Sequence, residues 1–571
     1  MTAPAPAHPP LRLPYPDRRD WTIPKLLADR ARTHRDRPFV VDGDDPEQSW
    51  TYGEMAAVAN SVGNSLVGRG FAAGDRLAIM LHNCTDFFAA WLGAAVAGIV
   101  EVPINVDYKG SFLEHVMGLT APRGVVTSPA LAPEFLASRA GLPDDLRFFV
   151  VDDGGDVEAT IARLTAAGWA AENFDELLAG SPEPVDRDVY PHDLAAILST
   201  SGTTGPSKGV MMPHAQLVFS GQSVVNVLRL GDEDVMQLAN PLFHGNAQFM
   251  TVIPALAVGA KLVLFERFSP SRFLARIERH GITTANLLGA MMDWIWRQPP
   301  TEADAACSLR AVISCPTPAS IAAGFQRRFG LEAIGETFGQ TEIGLPFLTP
   351  YGRPRPDGAI GLPVEEFYEV ALVDPETDEE VAAGEVGELV VRPRLPWIVS
   401  SGFWAMPEAM AAASRNMWFH SGDGLRRDER GWYHFTDRMK DTLRRRGENI
   451  SSFEVEEALL GHPRVGECAI VAVPAEFEGG EDEVKAVIVF AEPVGWKELV
   501  GWAREKLPYF VVPRYWEAVE ELPKTPTTKV RKAALREVGL TPATFDREAA
   551  GIEVSRSRRR GPGREVQRDP R

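Results

Sequence analysis

Cysteine is scarce in this 571-residue chain: Cys84, Cys307, Cys315 and Cys468 are widely scattered, and none forms a CxxC pair. That spacing excludes a disulfide framework and a cysteine-based zinc site, and it fits a reducing cytoplasm. Positive charge is also in deficit. The formal net charge of −19 argues against a general nucleic-acid or anionic-membrane binder, so any anionic ligand must be held by local groups rather than by the overall field. Long apolar runs are missing. The longest, 87–100, lies between Asp86 and Glu101 and falls short of the roughly 20 residues a bilayer span needs, so it reads as a buried helix and not as an integral membrane segment. The opening MTAPAPAHPPLRLPYP is proline-rich without an apolar signal core. No internal repeat is present.

What the chain does have is the composition of a packed soluble protein, 45% hydrophobic and 24% charged, at a length that calls for two or more domains. From residue 21 onward, helical and strand periodicities alternate: a helix over 26–33, strands at 38–41 and 49–52, a helix over 52–69, a strand at 76–81. This rhythm predicts an α/β architecture. Residues 154–190, rich in Gly, Ala and acidic side chains, read as a surface insertion ahead of a core strand at 194–198. A compact C-terminal region carries its own strands at 469–473 and 484–489. The expected organisation is an N-terminal arm (1–20), a large domain (21–439), a small domain (440–545), and a basic tail (546–571) expected to be disordered.

The strongest local signal is LSTSGTTGPSK, 198–208. A buried strand feeds a loop of hydroxyl residues and glycines that closes on Lys208. Glycines let the backbone approach a ligand and expose successive N–H donors; hydroxyls add donors and the lysine adds a point charge. The set suits a triphosphate. It is not the GxxxxGK[ST] loop, because Ser207 stands where that pattern needs its second glycine and Gly209 follows the lysine. A kinase-like or GTPase-like reading therefore fails. A flexible Ser/Thr/Gly linker is the bland alternative, but linkers rarely follow an apolar strand.

The string STSGTTGPSKGVMMPH resembles the signature of the adenylate-forming superfamily: acyl-CoA synthetases, carrier-protein adenylation domains and beetle luciferases. The resemblance extends over about 20–540. It implies a large multi-sheet α/β domain with a small mobile α/β domain behind it. It also implies that Thr200, Ser201, Gly202, Thr203, Thr204, Gly205 and Lys208 hold the phosphates of ATP. ETFGQTEIG, 336–344, resembles the family's aromatic-Gly-x-Thr-Glu element. By that resemblance Phe338 stacks on adenine, Thr341 contacts the α-phosphate, Glu342 holds Mg2+, and Glu336 and Thr337 belong to the same cofactor-binding stretch. The family usually has Tyr where Phe338 stands, which keeps the stacking and drops a hydroxyl.

WFHSGDGLRRDERGWYHFTDR, 418–438, assigns Asp423 to the ribose hydroxyls and Arg438 to the ribose and phosphate; DERG is a turn signal between two strands. Taken alone, Asp423 reads equally as a turn residue. Lys440 occupies the family's hinge position. Gly447, Glu448 and Asn449 match the loop that lines the pantetheine tunnel for coenzyme A. The run 444–446 reads either as a contact for the phosphates of CoA or as a solvated basic face. LPKTPTTKVRKAALR, 522–536, assigns Lys529 as the catalytic lysine of adenylation, with Thr528 where relatives often have Gly.

PLFHGNAQFM, 241–250, resembles the acyl-pocket gate. His244 would sit beside the substrate carboxylate, or would be a structural histidine; Gln248, Phe249, Leu288 and Gly335 are further wall candidates. Where relatives carry a small glycine-rich stretch, this chain has ISCPTP, 313–318, which is bulkier and stiffer. The 241–248 and 444–456 strings look most like the carnitine- and crotonobetaine-type branch of CoA ligases. The function implied is ATP-dependent activation of a small carboxylic acid as an acyl-adenylate, followed by transfer to CoA. The alternatives are loading of a carrier protein's pantetheine thiol, a half-reaction specialist that uses a preformed acyl-adenylate, and a luciferase-like oxygenase. The sequence leaves a homodimer open.

Overall fold

Short β-branched runs separated by helices of matching length make parallel sheets, because each crossover helix covers one sheet face and the strands are buried on both sides. The computed structural model describes residue 8 and residues 10–200, 207–438, 443–445, 448–450, 452–474, 482–523, 530 and 532–554. It contains two seven-stranded sheets of this kind. One runs, edge to edge, through Ala333–Gly335, Ala311–Ser314, Thr284–Leu287, Val235–Leu238, Lys261–Leu264, Pro38–Asp42 and Ser49–Thr51. The other runs through Ala170–Asn173, Arg147–Val150, Gly124–Thr127, Arg76–Ile79, Val100–Pro103, Leu194–Thr200 and Lys208–Pro213. Each ends in one antiparallel edge strand, Ser49–Thr51 and Lys208–Pro213 respectively. A third, fully antiparallel sheet of seven strands spans 337–438.

The helix His214–Leu228 explains why these layers cohere. Leu217, Val218, Phe219, Val224, Val225, Val227 and Leu228 are all buried, together with Gln216, Ser220, Gln222 and Ser223. A helix enclosed on every side is a core element rather than a surface one. Its first residue, His214, is fully buried; desolvation pushes its pKa down to about 3, so the ring is neutral and can accept from the Ile23 backbone N–H. The helix Thr85–Val96 is likewise almost wholly buried, as its uncharged run predicts.

Several boundaries move for identifiable reasons. The first helix begins at Ile23, not 26, because Thr22 caps it by accepting from the Lys25 N–H and Pro24 sits in its first turn. Tyr52 opens the next helix rather than ending a strand, since Thr51 and Glu54 close a reciprocal capping box. The 154–190 segment is not a surface insertion. It supplies the edge strand Ala170–Asn173, paired in parallel with Arg147–Val150, and the helix Val157–Ala166. Leu164, Trp169, Phe174 and Leu177 anchor both in the core. Its polar composition reflects an edge position, half covered.

A separate small core gathers Leu443, Ile450, Val455, Leu459, Ile470, Val484, Ile488 and Trp516 around the strands Val465–Val473, Glu483–Phe490, Tyr515–Ala518 and Phe545–Asp546. Phe112, from the helix Ser111–Thr120, packs into it. Two expectations are corrected here. Packed structure continues beyond 546: Arg514 donates to Asp546 at 3.0 Å, and Arg547, buried, donates to the Pro513 carbonyl at 2.9 Å. In the 444–446 run, Arg445 is neither solvated nor offered to a phosphate. It is buried, donates to the Phe510 and Val512 carbonyls, and pairs with Glu483 at 2.8 Å.

Candidate active site

Two neighbouring strands of one sheet flank the glycine-rich segment. The strands Leu194–Thr200 and Lys208–Pro213 pair antiparallel with Thr200 opposite Lys208, so the two ends of the loop are held together. Ser201, Gly202, Thr203, Thr204 and Gly205 lie outside the described residues. On the far side of Lys208–Pro213 the segment 401–404 adds backbone bonds: Ser401 N–H to the Met211 carbonyl at 2.8 Å, and Trp404 N–H to the Gly209 carbonyl at 2.7 Å. The Lys208 ammonium sits 4.4 Å from the Phe403 ring centroid, a cation–π contact that holds the charge at the strand's start. His115 donates to the Ser207 carbonyl at 2.8 Å.

The same 400–404 segment leads from the glycine-rich segment, the first station of the candidate site, to a second, the 336–344 stretch. Ser400 N–H donates to the Glu342 carbonyl at 2.9 Å, and Gln216, from the buried helix, donates to the Thr341 carbonyl at 2.7 Å. Thr341 and Glu342 lie in the turn between the strands Thr337–Gln340 and Gly344–Leu348. Glycine is required at both ends of that turn. Gly344 has φ +68°, and a Cβ on Gly339 would stand 1.8 Å from the Gly344 carbonyl oxygen. Phe338 projects half-buried between Phe347 (6.1 Å) and Phe435 (6.0 Å), an aromatic surface of the kind a base stacks on.

Glu336, by contrast, faces inward. It is buried, 2.8 Å from Arg355. Desolvation outweighs both Arg355 and the Thr317 backbone N–H that bonds to it, so its carboxyl is pushed up to about 7. The Cys315 thiol lies 3.4 Å from the Thr337 hydroxyl. The ISCPTP stretch is thus joined to the Glu336–Thr337 strand at two points.

The third station is tied to the second by one bond that sequence reasoning missed. Gln340 Nε2 donates to Asp423 Oδ2 at 2.6 Å and to the Ser421 carbonyl at 2.9 Å. Asp423 is 2% exposed. It lies in the strand Phe419–Arg427, directly across from Arg438 in the strand Tyr433–Arg438. Arg438, Glu448 and Asn449 are described in their backbone only, and Lys440, Gly447 and Lys529 lie outside the described residues.

In the 241–250 segment, His244 is half-buried with its ring 5.0 Å from that of Phe243. A Cβ on Gly245 would meet Phe249 and then Leu198, so this segment packs directly on the strand that feeds the glycine-rich loop. Phe249 is half-buried there. Gln248 is 0% exposed and turned into the protein, donating to Glu101 at 2.8 Å and to the Leu242 carbonyl at 2.9 Å. Gly335 is buried at the end of its strand, where a Cβ would strike Val227. Leu288, half-buried, packs against the cluster around Leu287 and Met292. Among the described residues, no group of three or more His, Cys, Asp or Glu gathers as a metal site, and no helix is long and apolar enough to cross a membrane.

Comparison with known proteins identifies the family. The AMP-binding enzyme family matches residues 27–404, and the AMP-binding enzyme C-terminal domain matches 454–529. The chain is 31% identical over 493 residues to a feruloyl-CoA synthase of Amycolatopsis sp, covering 85% of this chain and 93% of that one. It is 27% identical over 497 residues to a crotonobetaine/carnitine–CoA ligase of Salmonella choleraesuis, covering 86% and 93%. The crystal structure of ATP-bound MatB from Rhodopseudomonas palustris aligns with a TM-score of 0.63 at 26% identity, over 90% of this chain and 98% of that one. The family match over 27–404 and the 31% identity to a feruloyl-CoA synthase make this chain a member of the AMP-binding enzyme family, in its acyl-CoA synthetase and ligase group.

Proposed function

We propose that the protein activates a carboxylic acid with ATP, forming acyl-AMP and pyrophosphate, and then transfers the acyl group to coenzyme A with release of AMP. The observation that carries this reading is the continuous set of bonds from Lys208 through the 400–404 segment to Glu342 and Thr341, and through Gln340 to Asp423. These residues, far apart in sequence, are joined into one unit.

In the first step a carboxylate oxygen forms a bond to the α-phosphorus and the bond to pyrophosphate breaks. Negative charge grows on the phosphoryl oxygens, and positioned donors and cations lower that barrier most. The Thr341 hydroxyl, Lys208 and Lys529 are the groups proposed to meet it. Phe338 holds the base, and Asp423 accepts from the ribose diol. The single carboxylate of Glu342 fits a Mg2+ ion bound chiefly by nucleotide phosphates, which is how this ion is commonly held; when bound it would neutralise phosphate charge. His244 orients the substrate carboxylate.

In the second step the thiol sulfur bonds to the acyl carbon and the bond to AMP breaks. The small domain, 440–545, turns about Lys440 so that Lys529 leaves and the loop of Gly447, Glu448 and Asn449 takes its place beside the pantetheine. The four free cysteines support a reducing cytoplasmic setting. Acid-dependent pyrophosphate release across a panel of short-chain, aryl, carnitine-like and polycyclic acids tests the reading. Release with at least one acid, followed by CoA-dependent thioester formation, is expected; thioester formed only on a holo carrier protein would move the acceptor.

A further inference from the structure

The segment that carries Asp423 leaves the ladder of its own sheet. Between the strands Val386–Pro393 and Phe419–Arg427, Val390 lies opposite His420 and Glu388 lies opposite Gly424. Ser421, Gly422 and Asp423 therefore face Leu389 alone, which makes a bulge. On the other side the register holds, with Asp423 opposite Arg438 and Gly424 opposite Asp437. A bulge re-aims a side chain. It also leaves backbone groups without ladder partners, and these must be bonded elsewhere.

Side chains supply those bonds. Ser421 Oγ donates to the Leu389 carbonyl at 2.7 Å and accepts from the Asp423 N–H at 3.1 Å. Glu388 Oε1 accepts from the Gly422 N–H at 3.0 Å. Gly422 has φ +73°, a conformation that favours glycine at this point of the bulge. Gln340 completes the set through the Ser421 carbonyl. Of these side chains Glu388 alone is ionisable, and it is 6% exposed.

A buried carboxylate needs partners for both oxygens. Glu388 Oε2 meets His420 Nδ1 at 3.0 Å and lies 3.8 Å from Arg415 Nη2, which is itself held by Asp378 at 2.9 Å. A carboxylate only accepts, so the imidazole presents an N–H to it. Oε2 is thus anchored from behind, and Oε1 is fixed against the Gly422 N–H. A hydrogen bond from a backbone N–H to a carboxylate is roughly twice as strong as a neutral one. It sets the backbone one residue before Asp423.

We propose that Glu388 is a positioning residue for nucleotide binding: by holding the Gly422 N–H it fixes the bulge that turns the Asp423 carboxylate toward the ribose hydroxyls of ATP. The proposal rests on the ligase reading above and on its assignment of Asp423. The consequence is selectivity as well as affinity. A carboxylate held in one direction penalises a nucleotide that lacks the hydroxyl it bonds, whereas a carboxylate on a loosened bulge discriminates little.

The test uses the full chain and an acid that the unaltered protein turns over. kcat/KM for ATP, 2′-deoxyATP and 3′-deoxyATP is read from pyrophosphate release. The unaltered protein is expected to prefer ATP over at least one deoxynucleotide by about tenfold or more. In Glu388→Leu that preference should fall toward unity, with KM for ATP changed more than kcat. Glu388→Asp keeps the charge that Arg415 and His420 face but draws the oxygen back by one methylene. It should act in the same direction, and it carries the test if Glu388→Leu does not fold by its thermal midpoint. Glu388→Gln still accepts from Gly422 and can donate to the other tautomer of His420, so it should keep the preference. Activity lost in Glu388→Leu and Glu388→Asp with the ATP preference unchanged overturns the inference, because a purely structural role lowers all three nucleotides alike. Collapse of the preference in Glu388→Gln overturns it as well, since the acceptor is still present. Equal kcat/KM for the three nucleotides in the unaltered protein overturns the assignment of Asp423 to the ribose and this inference with it, and leaves the ligase reading intact. Pyrophosphate release with no acid overturns the ligase reading, and this inference with it.

Discussion

Gln340 donates to Asp423 across the gap between two strands of the third sheet, at 2.6 Å. The carboxylate is almost wholly buried, so its direction is set by this bond rather than by solvent. Replacing Gln340 with Leu removes a hydrogen bond to a charged group, a change of about 1.5–3 kcal/mol. We expect KM for ATP to rise by about tenfold or more in Gln340→Leu, with the affinity for the acid little changed. Steady-state kinetics with ATP as the varied substrate reads this directly; an unaltered KM would show that Asp423 needs no such support.

Lys529 is assigned to the first half-reaction alone. Lys529→Ala should lower adenylation on the order of 10²- to 10³-fold. Thioester formation from synthetic acyl-adenylate and CoA should remain near its normal rate. Single-turnover measurements of the two halves separate them, and equal loss in both would place the lysine elsewhere in the mechanism.

Lys440 is assigned to the hinge. Proline fixes φ near −65°, so Lys440→Pro should arrest the rotation, spare pyrophosphate release and cut thioester formation. Parallel loss of both activities would contradict a hinge at this position.

Glu101 supplies a pH dependence with a definite sign. It is fully buried in the strand Val100–Pro103, opposite Ala196 and Leu77, with Gln248 as its hydrogen-bond donor. Desolvation, opposed only by Gln248, holds its pKa well above the ordinary value. Between the unfolded value of about 4.3 and that raised value, the unfolded chain has released a proton that the folded chain keeps. The unfolded state is favoured by rising pH, and this residue's contribution to stability falls across the window. Among the described residues neither Glu101 Oε2 nor Gln248 Oε1 has a hydrogen-bond partner, so the NH2 of an amide at 101 could donate to Gln248 Oε1. Glu101→Gln should match the unaltered protein near pH 4 and exceed it in thermal midpoint by a margin that grows toward pH 8. A constant margin across that range would show that Glu101 is ionised in the folded state.

Much of this architecture was legible in the sequence where period and chemistry coincide. The parallel strands 76–81 and 194–198, the buried run at 87–100 and the turn at 428–431 all carry strong local signals. Boundaries failed where a cap decides them, at Thr22 and Thr51, because one side-chain hydrogen bond outweighs the apolar pattern. The edge strand Ala170–Asn173 was hidden because an edge needs only half the apolar surface of a central strand. Arg445 misled because its neighbours in sequence are basic, whereas its partners, Phe510, Val512 and Glu483, are distant. Gln216 and Ser400 left no trace: their roles are bonds to residues far along the chain. Gln340 gave the one clue, a polar side chain at the variable position of the Gly-x-Thr-Glu element.

The central claim is that a carboxylate oxygen bonds to the α-phosphorus of ATP at the site proposed around Lys208, Thr341, Glu342 and Asp423. The most direct measurement is to follow oxygen from a carboxylate-labelled acid through a complete turnover with ATP and CoA, using mass spectrometry. The account predicts one labelled oxygen in AMP, unlabelled pyrophosphate, and acyl-CoA and AMP in equal amounts. Label recovered in inorganic phosphate, with ADP as the nucleotide product, would contradict it.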